Sequence, residues 1–227
     1  MFIFPGHLFN PSNVKANLVS RVITGGEAIN GEIDAIATDG GGHWQVTCTG
    51  IDLTNARIMR QWEAWESYLD GGAVDCLVPM LSVARANRPF GGGQPAKVHG
   101  LVADDDLFPT SLAYAAPYIS ATVTDSAALR ATELTIAVSR GAPLEGGETF
   151  SIGGRGYRIQ RVKSRPDTQS AIVAIRPPLR EALTSGDALD FSFPLLKCRL
   201  QPNQDIGLEI FQNQSANTSI TFMENTL

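Results

Sequence analysis

Only one stretch of this chain has the hydrophobic period of an α-helix, and that constrains its fold more than any other feature. In DLTNARIMRQWEAWESYLDGG, apolar side chains recur at i, i+4, i+7 and i+11, which places them on one helical face. This predicted structural core of the helix consists of Ile58, Trp62, Trp65 and Leu69. A chain of 227 residues with one such helix must build most of its core from strands, so we predict a mainly β protein with one α-helix.

The helix has recognisable start and stop signals. Thr54 or Asn55 can cap its first turn, and Asp70-Gly71-Gly72 supplies the left-handed residue that ends it. The opposite face is polar and carries Arg57, Arg60, Glu63 and Glu66. Two glutamates one turn apart can be read as an acid and base pair, but their arginine neighbours favour ion pairs on a wet surface.

The stretch GETFSIGGRGYRIQRV can be read either as a phosphate loop or as a hairpin. A phosphate loop needs a helix directly after its glycines, whereas here Tyr157, Ile159 and an inward Arg161 continue at the two-residue period of a strand. We therefore predict a β-hairpin whose turn uses positive backbone φ angles. The hairpin-turn residues are Gly153, Gly154 and Gly156.

Short strands surround the helix on both sides. Gly-rich punctuation before residue 53 separates strands around Ile29, Ile33–Ile36 and a third run in which Trp44, Val46 and Cys48 share one face. After the helix, AVDCLVPM also alternates. Its apolar face consists of Val74, Cys76, Val78 and Met80. These elements indicate a compact α+β unit.

The composition changes between Ser82 and Gly100. This segment is rich in Arg, Pro and Gly and has no apolar periodicity, which indicates a boundary loop. Five short strands at regular spacing follow, and another comes after a bend at Ser185-Gly186-Asp187. The five are Tyr118–Val123, Leu134–Val138, Thr149–Ile152, Tyr157–Val162 and Ala171–Ile175. Such spacing predicts a small antiparallel barrel or sandwich.

The terminal segment DIGLEIFQNQSANTSITFMENTL predicts a hairpin in which Ile206, Leu208 and Ile210 face Ile220 and Phe222. Two strands alone are marginal in water, so this ribbon must join a larger sheet. The N-terminal part has few strands to cover its helix. We therefore predict a discontinuous first domain of residues 1–82 and 204–227, with a β-barrel domain of residues 83–203 inserted.

Composition excludes several classes of protein. A net charge of −5 argues against specific nucleic-acid binding, which calls for a basic surface. The N-terminus has no basic start, and Pro5 and Gly6 interrupt its apolar run, so we expect no signal peptide. No stretch approaches the roughly 20 apolar residues of a membrane span. We expect a soluble protein made in the cytoplasm.

No residue pattern indicates catalysis, a cofactor or a metal. The histidines His7, His43 and His99 lack a second ligand at a metal-binding spacing, and Asp104–Asp106 lacks the pattern of a calcium loop. The three cysteines, Cys48, Cys76 and Cys198, are too far apart for a zinc motif and resemble reduced, buried side chains. We predict that the protein is not an enzyme.

Together these segments resemble the distal tail protein family, a tail-tip or baseplate component of long-tailed, non-contractile bacteriophages. The resemblance covers most of the chain. It is carried by IMRQWEAWESYLDGGAVDCLVPM, the Arg/Gly/Pro loop, GETFSIGGRGYRIQRV, AIVAIRPPLREALTSGDALDF, CRL and ITFMENTL. It implies a tail-tube-like β-sandwich with one flanking helix and an inserted, small OB-like β-barrel.

The resemblance also implies a role. Proteins of this family are structural and host-attachment components of the virion, at the distal tail tip. They form a homohexameric ring that contacts the tail tube protein, the tail hub protein and tail fibres. Other hypotheses are another tail tube or terminator component, a hydrolase that uses His43, Glu63 and Glu66, and a carbohydrate-binding adhesin module. The last would need Trp44 or another aromatic exposed.

Overall fold

The computed structural model describes residues 1–20, 22–27, 29, 31, 33–37, 41–80, 97–98, 114–115, 119–141, 143–210 and 216–226. In these residues the chain is mainly β, as predicted, and it includes a closed six-stranded barrel. It divides into two compact units. The first contains Met1–Ser82, Gly153–Gly156 and Leu195–Leu227, and the second contains Val83–Ile152 and Tyr157–Pro194.

The elements follow the chain in this order. The first unit begins with α1 (Gly6–Phe9), β1 (Asn13–Val19), β2 (Val22–Glu27), β3 (Ile33–Ala37), β4 (His43–Leu53), α2 (Ala56–Leu69), a 3₁₀ turn (Asp70–Gly72) and β5 (Cys76–Pro79). Next come β6 (Lys97–Val98), β7 (Tyr114–Ala115), β8 (Ser120–Val123), β9 (Glu133–Arg140), β10 (Thr149–Ile152), β11 (Arg155–Ser164), β12 (Ser170–Arg176) and β13 (Ala188–Asp190). The last strands are β14 (Leu195–Leu200), β15 (Glu209–Ile210) and β16 (Ala216–Glu224).

The main sheet of the first unit has the strand order β1-β4-β16-β14-β5, with β15 paired to β16. The terminal strand β16 therefore lies inside the sheet. Its Ile220 and Phe222 pair with Cys48 and Val46 of β4, not with the 206–210 segment as predicted. Only Glu209 and Ile210 form β15, and Ile210 pairs with Ala216. Strand β4 is long and has a matching apolar face, so β16 pairs along it instead of forming a separate two-stranded ribbon.

Helix α2 covers one face of this sheet, and a second helix, α1, makes the prediction of one helix wrong. A single turn such as α1 is too short to leave a hydrophobic period in the sequence. It ends at Asn10, whose left-handed conformation has φ of 42° and whose N–H donates to the Gly6 carbonyl. Phe9 is buried, and its ring lies 5.0 Å from that of Trp62.

The second unit is built on the barrel, which closes in the order β10-β11-β12-β9-β8-β13. The choice between a barrel and a sandwich is thereby decided. Alternating residues of these strands fill the interior. The buried core includes Ile119, Val123, Leu134, Ile136, Phe150, Tyr157, Ile159, Val173, Ile175, Leu189 and Phe191.

The boundaries of the units differ from the predicted ones. Strand β14 belongs to the first unit, which resumes at Leu195 and not at residue 204, because Leu196, Cys198 and Leu200 pack in the core of that unit. Residues Gly153–Gly156 also belong to it. The predicted boundary loop, except Lys97–Val98, falls outside the described residues, as do His99 and Asp104–Asp106.

Candidate interaction surfaces

The predicted core stripe of the helix faces the first unit's core. Trp62 and Leu69 are buried, and Ile58 and Trp65 are half-buried against the same core. Asn55 is the N-cap, and its side chain accepts a hydrogen bond from the backbone N–H of Arg57 at 2.8 Å. These four side chains have a packing role.

The residues considered for acid–base chemistry come from three separate elements. Glu63 is exposed on α2, and Glu66 is half-buried one turn further along. His43 is half-buried at the start of β4, and His7 is exposed in α1. Within the described part of the chain, no group of three His, Cys, Asp or Glu side chains has the geometry to hold a metal ion.

The predicted hairpin turn is present, but it is shorter than expected and does not include Gly156. Gly153 and Gly154 alone form it, with φ of 57° and 82°, while Arg155 and Gly156 begin β11. Gly156 is confined by space and not by φ, because a Cβ there would lie 2.3 Å from Leu196 Cδ2 and 2.7 Å from Met80 Sδ. The Arg155 guanidinium donates to the Asn225 carbonyl.

Trp44 is fully buried in the first unit. Its indole N–H donates to the Gly156 carbonyl at 2.8 Å, and its backbone N–H donates to the Glu224 carboxylate at 2.9 Å. A sugar platform needs an accessible aromatic face, so Trp44 does not provide one.

Exposed apolar side chains are concentrated in two places in the first unit. All but two of the large apolar side chains that are exposed in the described residues lie there. The hairpin patch consists of Val22, Ile23, Ile29, Ile33 and Ile36, and the N-terminal patch consists of Met1, Phe2 and Ile3. The other two exposed side chains are Leu129 and Phe193.

The hairpin patch lies on the two-stranded ribbon β2–β3, which joins β1 to β4 along the chain. Ile23 and Ile36 pair across the ribbon and are 63% and 62% exposed. Both faces are open, since residues 22–26 and 33–36 are all exposed. A ribbon of two strands is marginal when nothing covers it, so the hairpin patch is a candidate interaction surface. The predicted strand at Ile33–Ile36 is confirmed as β3, but the one predicted around Ile29 is wrong, because β2 ends at Glu27 and Ile29 lies in a turn. The sequence contained no signal that these side chains are exposed.

The N-terminal patch lies beside β5, at one edge of the main sheet. The Phe4 N–H donates to the Leu77 carbonyl at 2.8 Å, and the Leu77 N–H donates to the Phe2 carbonyl at 2.9 Å. Residues 2–4 thus extend the sheet beyond β5. The Phe2 ring lies edge-on to Tyr68 at 5.3 Å but remains 66% exposed.

The second unit contains a cavity of about 420 Å³ between the end of β9 and the β11–β12 connection. Its lining includes two arginines, Arg140 and Arg165. The other lining residues are Val138, Ser139, Gly141, Pro143, Leu144, Thr168, Gln169, Ser170 and Ala171. No residue pattern in the sequence pointed to this site, because its parts come from separate loops.

Comparisons with known proteins do not assign this chain to a family. A scan against protein-family models finds no match, and a search of the curated proteins finds none either. Neither helix in the described part of the chain has the length and apolar character needed to cross a bilayer.

Proposed function

We propose that this chain is a structural virion protein of a long-tailed, non-contractile bacteriophage. It forms a homohexameric ring at the distal end of the tail and joins the tail tube to the hub and the fibres. The proposal extends the family resemblance seen in the sequence. In it, the first unit corresponds to the tail-tube-like β-sandwich with α2 as flanking helix, and the barrel corresponds to the inserted OB-like domain.

The observation that carries the proposal is the presence of two different apolar patches on one unit. A ring that closes by rotation is built from heterologous contacts, in which each copy presents one surface to the copy before it and another to the copy after it. The hairpin patch and the N-terminal patch supply such a pair. A twofold dimer would need only one self-complementary patch.

The position of the patches in the sheet supports the same assembly. The ribbon β2–β3 follows β1, which forms one edge of the sheet, while residues 2–4 line β5 at the other edge. We infer that the hairpin patch of one copy covers the N-terminal patch of the next. This contact removes exposed apolar side chains from water on both copies.

The oligomeric state of the full chain tests the proposal. Native mass spectrometry of the purified protein should give a hexamer, and Ile23→Asp should dissociate it, because a charge in an apolar interface is costly. Leu129→Asp is the matched control, since Leu129 is also exposed but lies in the second unit. A monomer at high concentration, or equal dissociation by both variants, would contradict the proposal.

A further inference from the structure

We propose that the cavity of the second unit binds a small anionic ligand, namely a carboxylate or phosphate group carried on a hydroxylated body of about the size of a monosaccharide. This site is separate from the two apolar patches and does not depend on the ring. Its volume of about 420 Å³ is within the usual range of small-molecule sites, about 300–1,000 Å³.

The charge of the lining sets the sign of the ligand. Arg140 and Arg165 both contribute to it, and no lining residue among those that the structure describes carries a carboxylate. The chain as a whole has a net charge of −5, so this is a local reversal of sign. Guanidinium groups match carboxylate and phosphate oxygens in a planar, two-point geometry.

Two carboxylates near the cavity accept hydrogen bonds from their own loops. Asp167 accepts hydrogen bonds from the backbone N–H groups of Gln169 and Ser170 at 2.7 and 2.6 Å, and from the Ser170 hydroxyl at 2.8 Å. The Ser170 hydroxyl and these N–H groups lower the pKa of Asp167. Glu148 accepts from the N–H groups of Glu145 and Gly146, each at 2.7 Å. Both carboxylates therefore stabilise the loops around the cavity.

Arg165 is held in place by the loop opposite. Its guanidinium donates to the Leu144 carbonyl, which connects the β11–β12 loop to the segment after β9. A guanidinium has five N–H groups, so this one bond leaves others for a ligand. The Val138 N–H also donates to the Gln169 carbonyl at 2.7 Å. These two bonds connect the walls of the cavity to each other.

The remaining lining residues fit a compact hydroxylated body. Buried Val138, Leu144 and Ala171 give an apolar floor. Hydroxyl and amide side chains of Ser139, Thr168, Gln169 and Ser170 are further parts of the wall and can exchange hydrogen bonds with ligand hydroxyls.

Isothermal titration calorimetry of the full chain tests the site, with glucuronate and glucose 6-phosphate as anionic probes. Glucose is the neutral control. Inorganic phosphate, which has the charge but no sugar ring, tests whether the anionic group alone is enough for binding. We expect at least one anionic sugar to bind about tenfold or more tightly than glucose, because charge-assisted hydrogen bonds are stronger than neutral ones. This binding should weaken at high salt, which screens the charges. Stronger binding of glucuronate or of glucose 6-phosphate distinguishes the two anions.

Variants assign the binding to the cavity. Arg165→Gln and Arg140→Gln should each weaken the binding about tenfold, whereas Arg161→Gln, which removes an exposed arginine of the same barrel outside the cavity, should not. Thermal melting checks that each variant is folded. Equal affinity for glucose and both anionic sugars, no binding of any anionic sugar, inorganic phosphate binding as tightly as they do, or unchanged binding in both cavity variants would overturn the proposal.

Discussion

Trp44 donates its indole N–H to the carbonyl oxygen of Gly156 at 2.8 Å, although the two residues are 112 positions apart in the chain. Both belong to the first unit, and the bond is buried. An unsatisfied carbonyl in that position would cost about 1–3 kcal/mol. Position 156 is a glycine for a different reason, since a Cβ there would meet the side chains of Leu196 and Met80.

Gly156→Ala should therefore destabilise the protein. The added Cβ would meet Leu196 Cδ2 at 2.3 Å and Met80 Sδ at 2.7 Å, and overpacking of this kind costs about 1–3 kcal/mol. Gly26→Ala is the control, because nothing lies within 4 Å of a Cβ there. Urea unfolding measures both variants, and equal stability of the two would show that the strand relaxes without loss.

The two faces of α2 should respond differently to truncation. Trp62 is 1% exposed, and its indole N–H donates to the Ile206 carbonyl at 2.9 Å, so Trp62→Ala should cost about 3–5 kcal/mol. Glu63 is exposed, and Glu63→Ala should change stability by no more than about 0.5 kcal/mol. Similar small losses in urea unfolding would mean that the helix face is assigned wrongly.

A mixing experiment distinguishes a heterologous contact from a twofold one. Ile23→Asp disables the hairpin patch and Phe2→Asp disables the N-terminal patch, so each variant alone should be monomeric. An equimolar mixture retains one complementary pair of intact patches and should give heterodimers that cannot grow. Native mass spectrometry detects them. A mixture that remains monomeric would argue that the patches do not bind each other.

Stability should fall at high pH because of buried thiols. Burial raises the pKa of Cys48 from 9.0 to about 11, and burial together with the Asp75 charge raises that of Cys76 from 9.0 to about 12. The folded state holds these protons more tightly than the unfolded state, so the stabilisation is complete below pH 9 and is lost as pH rises through the folded pKa values. We expect a loss of about 2 kcal/mol per thiol by pH 11.

Urea unfolding between pH 8 and 11 measures this loss. The variant with Cys48→Ala and Cys76→Ala is the control for tyrosine and lysine titration, and its stability should decline less steeply. Parallel curves for the two proteins would show that the thiols do not contribute.

The barrel strands were predictable because their apolar residues alternate between turn signals. The face of β11 on which Arg161 lies was not predictable. A strict two-residue period from Ile159 predicts it inward, but the pairing of β11 with β12 shifts between Ile159 and Arg161. This bulge turns Arg161 out to solvent, and Val162 packs against the core in its place. A bulge adds a residue to one strand only and leaves little trace in its apolar pattern.

Long-range pairing and exposure were also beyond the sequence. Alternation shows that Ile220 and Phe222 share a face, but it does not identify β4 as their neighbour. Alternation likewise indicates a strand at Ile33–Ile36 without telling whether anything covers it. Both questions depend on residues that are distant in the chain. The cavity was not predictable for a similar reason, because it forms where two separate loops meet.

The position of β16 between β4 and β14 sets an order of events during synthesis. About 136 residues separate Met80 from Ala216, and at about 5–20 residues per second a ribosome needs roughly 7–27 s to make them. Throughout that interval β4 exposes an unpaired edge, while every strand of the barrel has been made by Asp190. The barrel can therefore fold on the nascent chain before β16 is available to complete the sheet of the first unit. In limited proteolysis of stalled ribosome complexes, the barrel should become protected before that sheet does.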